Sequence, residues 1–219
     1  MSLELFQAIH DNDSAKVEQL IAANSGLANA RNENGVSALM QARYEGRREI
    51  VALLRSKAGA LDVFEAATLG DLEQLRKLLA GDPALAKAFA PDGFTALHLA
   101  AFFAQSDAAQ VLLRAGADPN AVARNTMKVA VINSAAASGR ADLVKLLLEA
   151  GADPNARQMA GYTALHAAAA HDNLEMAQAL LDAGADPSLR SDDGQTAAEK
   201  AGAAVAALLG SKKQASGNN

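Results

Sequence analysis

Four histidines, 25 acidic residues and no cysteine bound the chemistry open to this chain of 219 residues. A zinc-like site would need imidazoles or thiolates at a short fixed spacing, and no paired-histidine motif is present. General acid–base work needs two titratable groups brought together, yet Asp and Glu are scattered at positions that read as solvated helix faces. There is no glycine-rich phosphate loop and no strained nucleophile turn. His98 and His166 each stand three residues after a threonine, Thr95 and Thr163. At that spacing a ring nitrogen can bond the turn of its own unit or of the next, which is a structural task. His10 and His171 fall near helix ends and read as exposed polar residues. The residues therefore point to a chain with no catalytic centre, no cofactor and no metal.

The elements that carry His98 and His166 recur. Gly-Ala-Asp followed by proline appears at Gly116, Gly151 and Gly184, each time behind a Leu-Leu run, at spacings of 35 and then 33 residues. The segment Ala141 to Ala150 places its apolar residues at helical spacing and so defines one face that must be buried. Gly151 then closes the helix and Pro154 prevents its resumption. Upstream, Asp92-Gly93-Phe94-Thr95-Ala96-Leu97-His98 and Gly161-Tyr162-Thr163-Ala164-Leu165-His166 supply a glycine turn, a threonine cap and small residues that admit a close neighbour. In the N-terminal half, Leu3 to Ala8 matches Leu61 to Ala66, and the same register pairs Gly35 with Gly93 and Ser37 with Thr95.

Turn, Thr-x-Leu-His, Ala-Ala, second helix and Gly-Ala-Asp at a period near 33 resemble the ankyrin repeat, from about Leu3 to Leu209. Ala96 and Ala164 stand where that family usually has proline, which costs a little preorganisation at the helix start. The resemblance implies an all-α solenoid of stacked helix-turn-helix units with projecting hairpin fingers. Helix pairs are expected near Leu3, Ser37, Leu61, Thr95, Ala130 and Thr163, about six repeats, with Thr196 to Leu209 as a short C-terminal cap. Between Gly59-Ala60 and Ala66-Ala67 too few residues remain for a hairpin, so one finger is expected to be missing. Residues 1–210 read as a single domain, and the polar tail 211–219 as disordered.

Composition fits this architecture. Half the chain is hydrophobic but only 4% is aromatic, so the core must be built from Ala and Leu, which suits thin stacked helices better than a compact enzyme with a deep pocket. No stretch approaches the ~20 apolar residues that span a bilayer, and Met1 to Asp13 lacks the pattern of a signal peptide. A net charge of −5 without a basic stripe disfavours nucleic acid as a partner. The expectation is a cytoplasmic monomer that binds a protein and no membrane; a mature exported chain would look the same.

Aromatic placement then suggests where binding occurs. On the register of the repeats, Phe94 precedes the capping Thr95, Phe102 and Phe103 follow Ala100-Ala101, Tyr44 is equivalent to Phe102, and Tyr162 to Phe94. The resemblance places all five on the concave face, whereas Phe6 and Phe64 are expected to fill the core. The fifth repeat breaks pattern: Ala130-Val131-Ile132-Asn133 replaces Thr-x-Leu-His, and the preceding loop, Ala121 to Lys128, is two residues longer and expected to project beyond its neighbours, either as a neutral insertion or as a functional, flexible, locally basic tip. The expected partner site is therefore Phe94, Phe102 and Phe103, with Tyr44, Met127, Met159 and Tyr162 around them. The alternative is a small-molecule module or an enzyme with an unrecognised site, using a groove lined by Asn125, Asn133 and Arg140.

Overall fold

A computed structural model describes residues 1–216, with side chains to Gly210. Seven helix pairs follow one another: α1 (Ser2–His10) and α2 (Ser14–Ala23), α3 (Ala38–Tyr44) and α4 (Arg48–Lys57), α5 (Val63–Leu69) and α6 (Leu72–Gly81), and α7 (Ala96–Phe102) and α8 (Ser106–Arg114). The series continues with α9 (Val131–Ala137) and α10 (Ala141–Glu149), α11 (Ala164–Ala170) and α12 (Leu174–Asp182), and α13 (Ala197–Lys200) and α14 (Ala203–Ser216). Six pairs agree with the register of the sequence; in the seventh only α13 is shortened, to four residues, while α14 runs to Ser216, beyond the Leu209 end expected for a short cap. The expected tail overlaps the end of α14, and its last residues, 217–219, lie outside the described residues.

The first helix of each pair is short and alanine-rich because it is packed on both sides. Ala100, Ala101, Ala135, Ala136, Ala168 and Ala169 have no exposed surface. Adding a side chain there would overpack a dense interface, at a cost of about 1–3 kcal/mol. The second helices are amphipathic and bury one stripe each, such as Leu143, Val144 and Leu147 on α10 or Met176, Ala177 and Leu180 on α12. Gly116, Gly151 and Gly184 take positive φ of 88°, 89° and 92°, which closes each second helix as the repeated Gly-Ala-Asp requires. Nearly all the buried apolar residues form one continuous cluster from Leu5 to Leu209. Phe6 and Phe64 correct the expectation that they fill this core: both are half-buried and pack against its edge, while the neighbouring Leu5 and Val63 go inside.

Between pairs the chain makes hairpin fingers, four of them marked by a single antiparallel bridge: Arg31 with Ser37, Phe89 with Thr95, Val122 with Ala130 and Arg190 with Thr196; the finger before α11 is closed instead by a 3-10 turn, Met159–Gly161, with the Gln158 N–H donating to the Tyr162 carbonyl. No such bridge joins α4 to α5, where the sequence is too short for a finger. The neighbours on either side of the gap meet. A Cβ on Gly35, at the tip of the first finger, would come within 2.9 Å of the Pro91 side chain on the next finger, so this contact demands a glycine. The omission thus brings α3 close to the finger that precedes α7.

Candidate functional site

His98 is where the local chemistry of the repeat is best resolved. Its Nε2 lies 2.9 Å from the carbonyl oxygen of Val129 in the next finger, so that nitrogen carries the proton and donates. Nδ1 is then an acceptor, and it receives the Thr95 backbone N–H at 3.2 Å and the Thr95 hydroxyl at 2.7 Å. The threonine oxygen in turn accepts the His98 backbone N–H at 3.3 Å. Burial pushes the imidazole pKa down to about 4. His166 repeats the arrangement with Thr163 and the Gln195 carbonyl. Both histidines therefore lock one repeat to the next, and His10 and His171 are exposed. No group of three or more His, Cys, Asp or Glu among the described residues could hold a metal ion.

In the fifth repeat Asn133 stands in the place of His98. Its amide Nδ2 donates to Ala156 at 3.3 Å, across to the next finger, but its Oδ1 is buried with no partner. The reason is local: Ala130 has no hydroxyl and caps nothing. An orphaned buried acceptor costs about 1–3 kcal/mol.

The lengthened loop before Ala130 resides in the finger itself, whose bridge residues, Val122 and Ala130, are eight apart where the other three pairs are six apart. It does not swing free, which corrects the expectation of a flexible projecting tip. Arg124 N–H donates to the Gly93 carbonyl at 2.8 Å, and Asn125 Nδ2 to the Asp92 carbonyl at 3.0 Å. On the other side Met159 N–H donates to the Met127 carbonyl at 2.9 Å. The Asn125 Oδ1 accepts Met127 N–H within the loop. Lys128 absorbs the extra length in a left-handed conformation, φ +47°.

These fingers and the inner helices enclose an apolar pocket of ≈ 300 Å³. Phe94, Met127, Val129 and Gln158 reach it from the fingers; Tyr44, Leu99, Phe102 and Ala137 from α3, α7 and α9; and His98, Asn133 and Ser134 also line it. Phe102 is 48% exposed and stands edge-on to Phe103, centroids 5.1 Å apart. Phe103 is half-buried and backs the wall, 5.7 Å from the Tyr44 ring and covered by the Arg43 guanidinium at 4.6 Å. The Tyr44 hydroxyl donates to Asp92 Oδ2 at 2.6 Å, spanning the position of the missing finger. Burial, with this bond second, raises the phenol pKa, so Tyr44 stays a neutral donor.

Of the seven residues expected at a partner site, Tyr44, Phe94, Phe102 and Met127 line this one pocket and Phe103 supports it. Met159 is exposed on the adjoining finger, tied to Met127 through the backbone. Tyr162 sits apart, between the His166 ring at 5.4 Å and the Lys200 ammonium at 4.9 Å, with its hydroxyl donating to Asp193. The alternative groove does not assemble. Asn125 spends its amide on finger contacts, and Arg140 pairs bidentately with Asp142 beside Ser106, in a different depression. Leu99, Val129, Ser134, Ala137 and Gln158 join the pocket without a distinctive residue type; the departure at Ala130 and Asn133 was the one signal near them.

Stacked helix pairs with bridged fingers and histidine locks between them define a helical repeat solenoid. A family model for ankyrin repeats (3 copies) matches residues 5–123, 63–158 and 132–216, and the chain belongs to the ankyrin-repeat family. Such repeats are protein–protein interaction modules, generally without catalysis of their own. Two rice proteins (Oryza sativa subsp. japonica) share part of it: a probable E3 ubiquitin-protein ligase is 45% identical over 64 residues, and an E3 ubiquitin-protein ligase is 45% identical over 65. Each match covers 29% of this chain and 14% of the ligase. Among the described residues no helix is long and apolar enough to cross a membrane.

Proposed function

We propose that this chain is a non-catalytic scaffold that binds a partner protein through its concave face, at the pocket shared by the fourth and fifth repeats. The observation that carries this reading is the pocket itself: an aromatic and aliphatic wall with Phe102 left 48% exposed at its edge, in a chain only 4% aromatic. Exposed apolar surface of that kind is costly unless a partner covers it, and aromatic anchors in such pockets carry ~2 kcal/mol or more each on truncation. Fingers stitched to one another by backbone hydrogen bonds favour rigid docking of one copy of the chain, with little ordering cost. A volume of ≈ 300 Å³ is at the lower end for a metabolite site, which favours a single inserted side chain over a whole small molecule.

Capture from the native lysate, with the native chain compared against Phe94→Ala/Phe102→Ala/Phe103→Ala, tests the site. Recovery of a specific protein by the native chain, lost in the triple variant at unchanged helical content, is the expected result. Equal recovery by both would rule the pocket out.

A further inference from the structure

The charges beside the pocket say more about what enters it. Lys128 lies between two lining residues, Met127 and Val129, is exposed, and has no carboxylate partner among the described residues. Arg43, stacked on the Phe103 ring behind the Phe102 wall, also lacks one, and its Nε is buried without any hydrogen bond. Desolvation, with Arg48 adding repulsion, lowers the Arg43 pKa, as befits a cation that nothing neutralises.

The nearby carboxylates are already engaged. Asp92 keeps its charge, but both its oxygens are taken, Oδ2 by the Tyr44 hydroxyl and Oδ1 by the Phe94 N–H, and Glu45 accepts the Gln41 amide and pairs with Arg47. Beside the apolar cleft the charged groups still free to take a ligand are therefore cations, Lys128 at its edge and Arg43 behind its wall, on a chain whose net charge is −5. We infer that the occupant is an acidic segment of the partner protein that inserts one large apolar or aromatic side chain into the pocket and sets carboxylates against Lys128 and Arg43. The inference rests on the binding site proposed above and adds the chemistry of its ligand. Unpaired cations at a rim steer an acidic segment and discriminate against a basic one by like-charge repulsion.

A displayed library of random peptides, selected on the full chain and depleted on Ala137→Trp, reads this directly. Ala137 is exposed at the end of α9 and lines the pocket, so an indole there fills the cleft without disturbing the core. The expected consensus is one large apolar residue flanked by Asp or Glu. Its members should bind Lys128→Glu about tenfold more weakly and lose most of that difference at high salt. The chain has no tryptophan, so a tryptophan in the peptide would report its own burial by a blue-shifted emission.

A basic or uncharged consensus at the same cleft would overturn the acidic assignment and leave the binding site standing. A selection in which depletion on Ala137→Trp leaves no enriched peptide would overturn both. Sedimentation that shows a dimer of the native chain, dissociated by Ala137→Trp, would give the pocket to a second copy and also overturn the inference.

Discussion

In the fourth repeat, His98 is bonded through both ring nitrogens, to its own Thr95 cap and to the Val129 carbonyl of the next finger. In the fifth, Asn133 occupies the same place, reaches the next finger with Nδ2 alone, and leaves Oδ1 buried and unmatched because Ala130 offers no hydroxyl. The backbone is the same helix pair in both. The difference lies in one polar network, complete in one repeat and half made in the next, and the candidate pocket lies across that boundary. Asn133, Ser134 and Ala137 line that pocket from the fifth repeat and His98, Leu99 and Phe102 from the equivalent places of the fourth.

The sharpest way to break the comparison is to remove the polar group from each repeat. His98→Ala should destabilise the fold by about 3 kcal/mol, since it strands the Val129 carbonyl and the Thr95 hydroxyl and leaves a buried gap. Asn133→Ala should cost about 1 kcal/mol or less, because it also removes an orphaned acceptor. Urea denaturation of the two variants checks this; equal losses would remove the contrast.

A similar effect should appear with acid. The folded pKa of His98 is about 4, below the unfolded value of 6.5, so the unfolded chain takes up that proton first as pH falls. The contribution is complete above about pH 6.5 and is lost as pH falls toward 4, by about 3 kcal/mol in all. The difference in urea midpoint between pH 7 and pH 4.5 should shrink in His98→Gln, which cannot titrate there.

The smallest effect is a gain. Ala130→Thr with Asn133→His rebuilds the framework network in the fifth repeat and should raise stability by about 1–2 kcal/mol, read as a higher urea midpoint. Either change alone should do less, since the two groups satisfy each other.

The sequence made the framework legible because each of its parts is local. Thr95 caps the helix three residues before His98, the glycines close the second helices, and the missing residues before Leu61 remove a finger. The aromatic part of the pocket was legible for the same reason, since Phe94, Phe102 and Tyr44 share a register with known inner positions. The rest depends on contacts over long separations. Tyr44 meets Asp92 and Phe103 because the absent finger lets α3 approach, and Leu99, Val129 and Gln158 line a wall with ordinary side chains. Tyr162 shows the limit of register alone: it matches Phe94 in position, yet Lys200 of the last helix pair covers its ring.

A photoreactive phenylalanine analogue placed at Phe102, and at Gln110 on the exposed outer helix α8 as a control, tests the concave pocket most directly. Irradiation in the native lysate should give a discrete adduct from position 102, none from position 110, and none from position 102 once Ala137→Trp fills the cleft. Adducts of equal yield at both positions, or an adduct at 102 that Ala137→Trp leaves intact, would contradict a partner site between the fourth and fifth repeats.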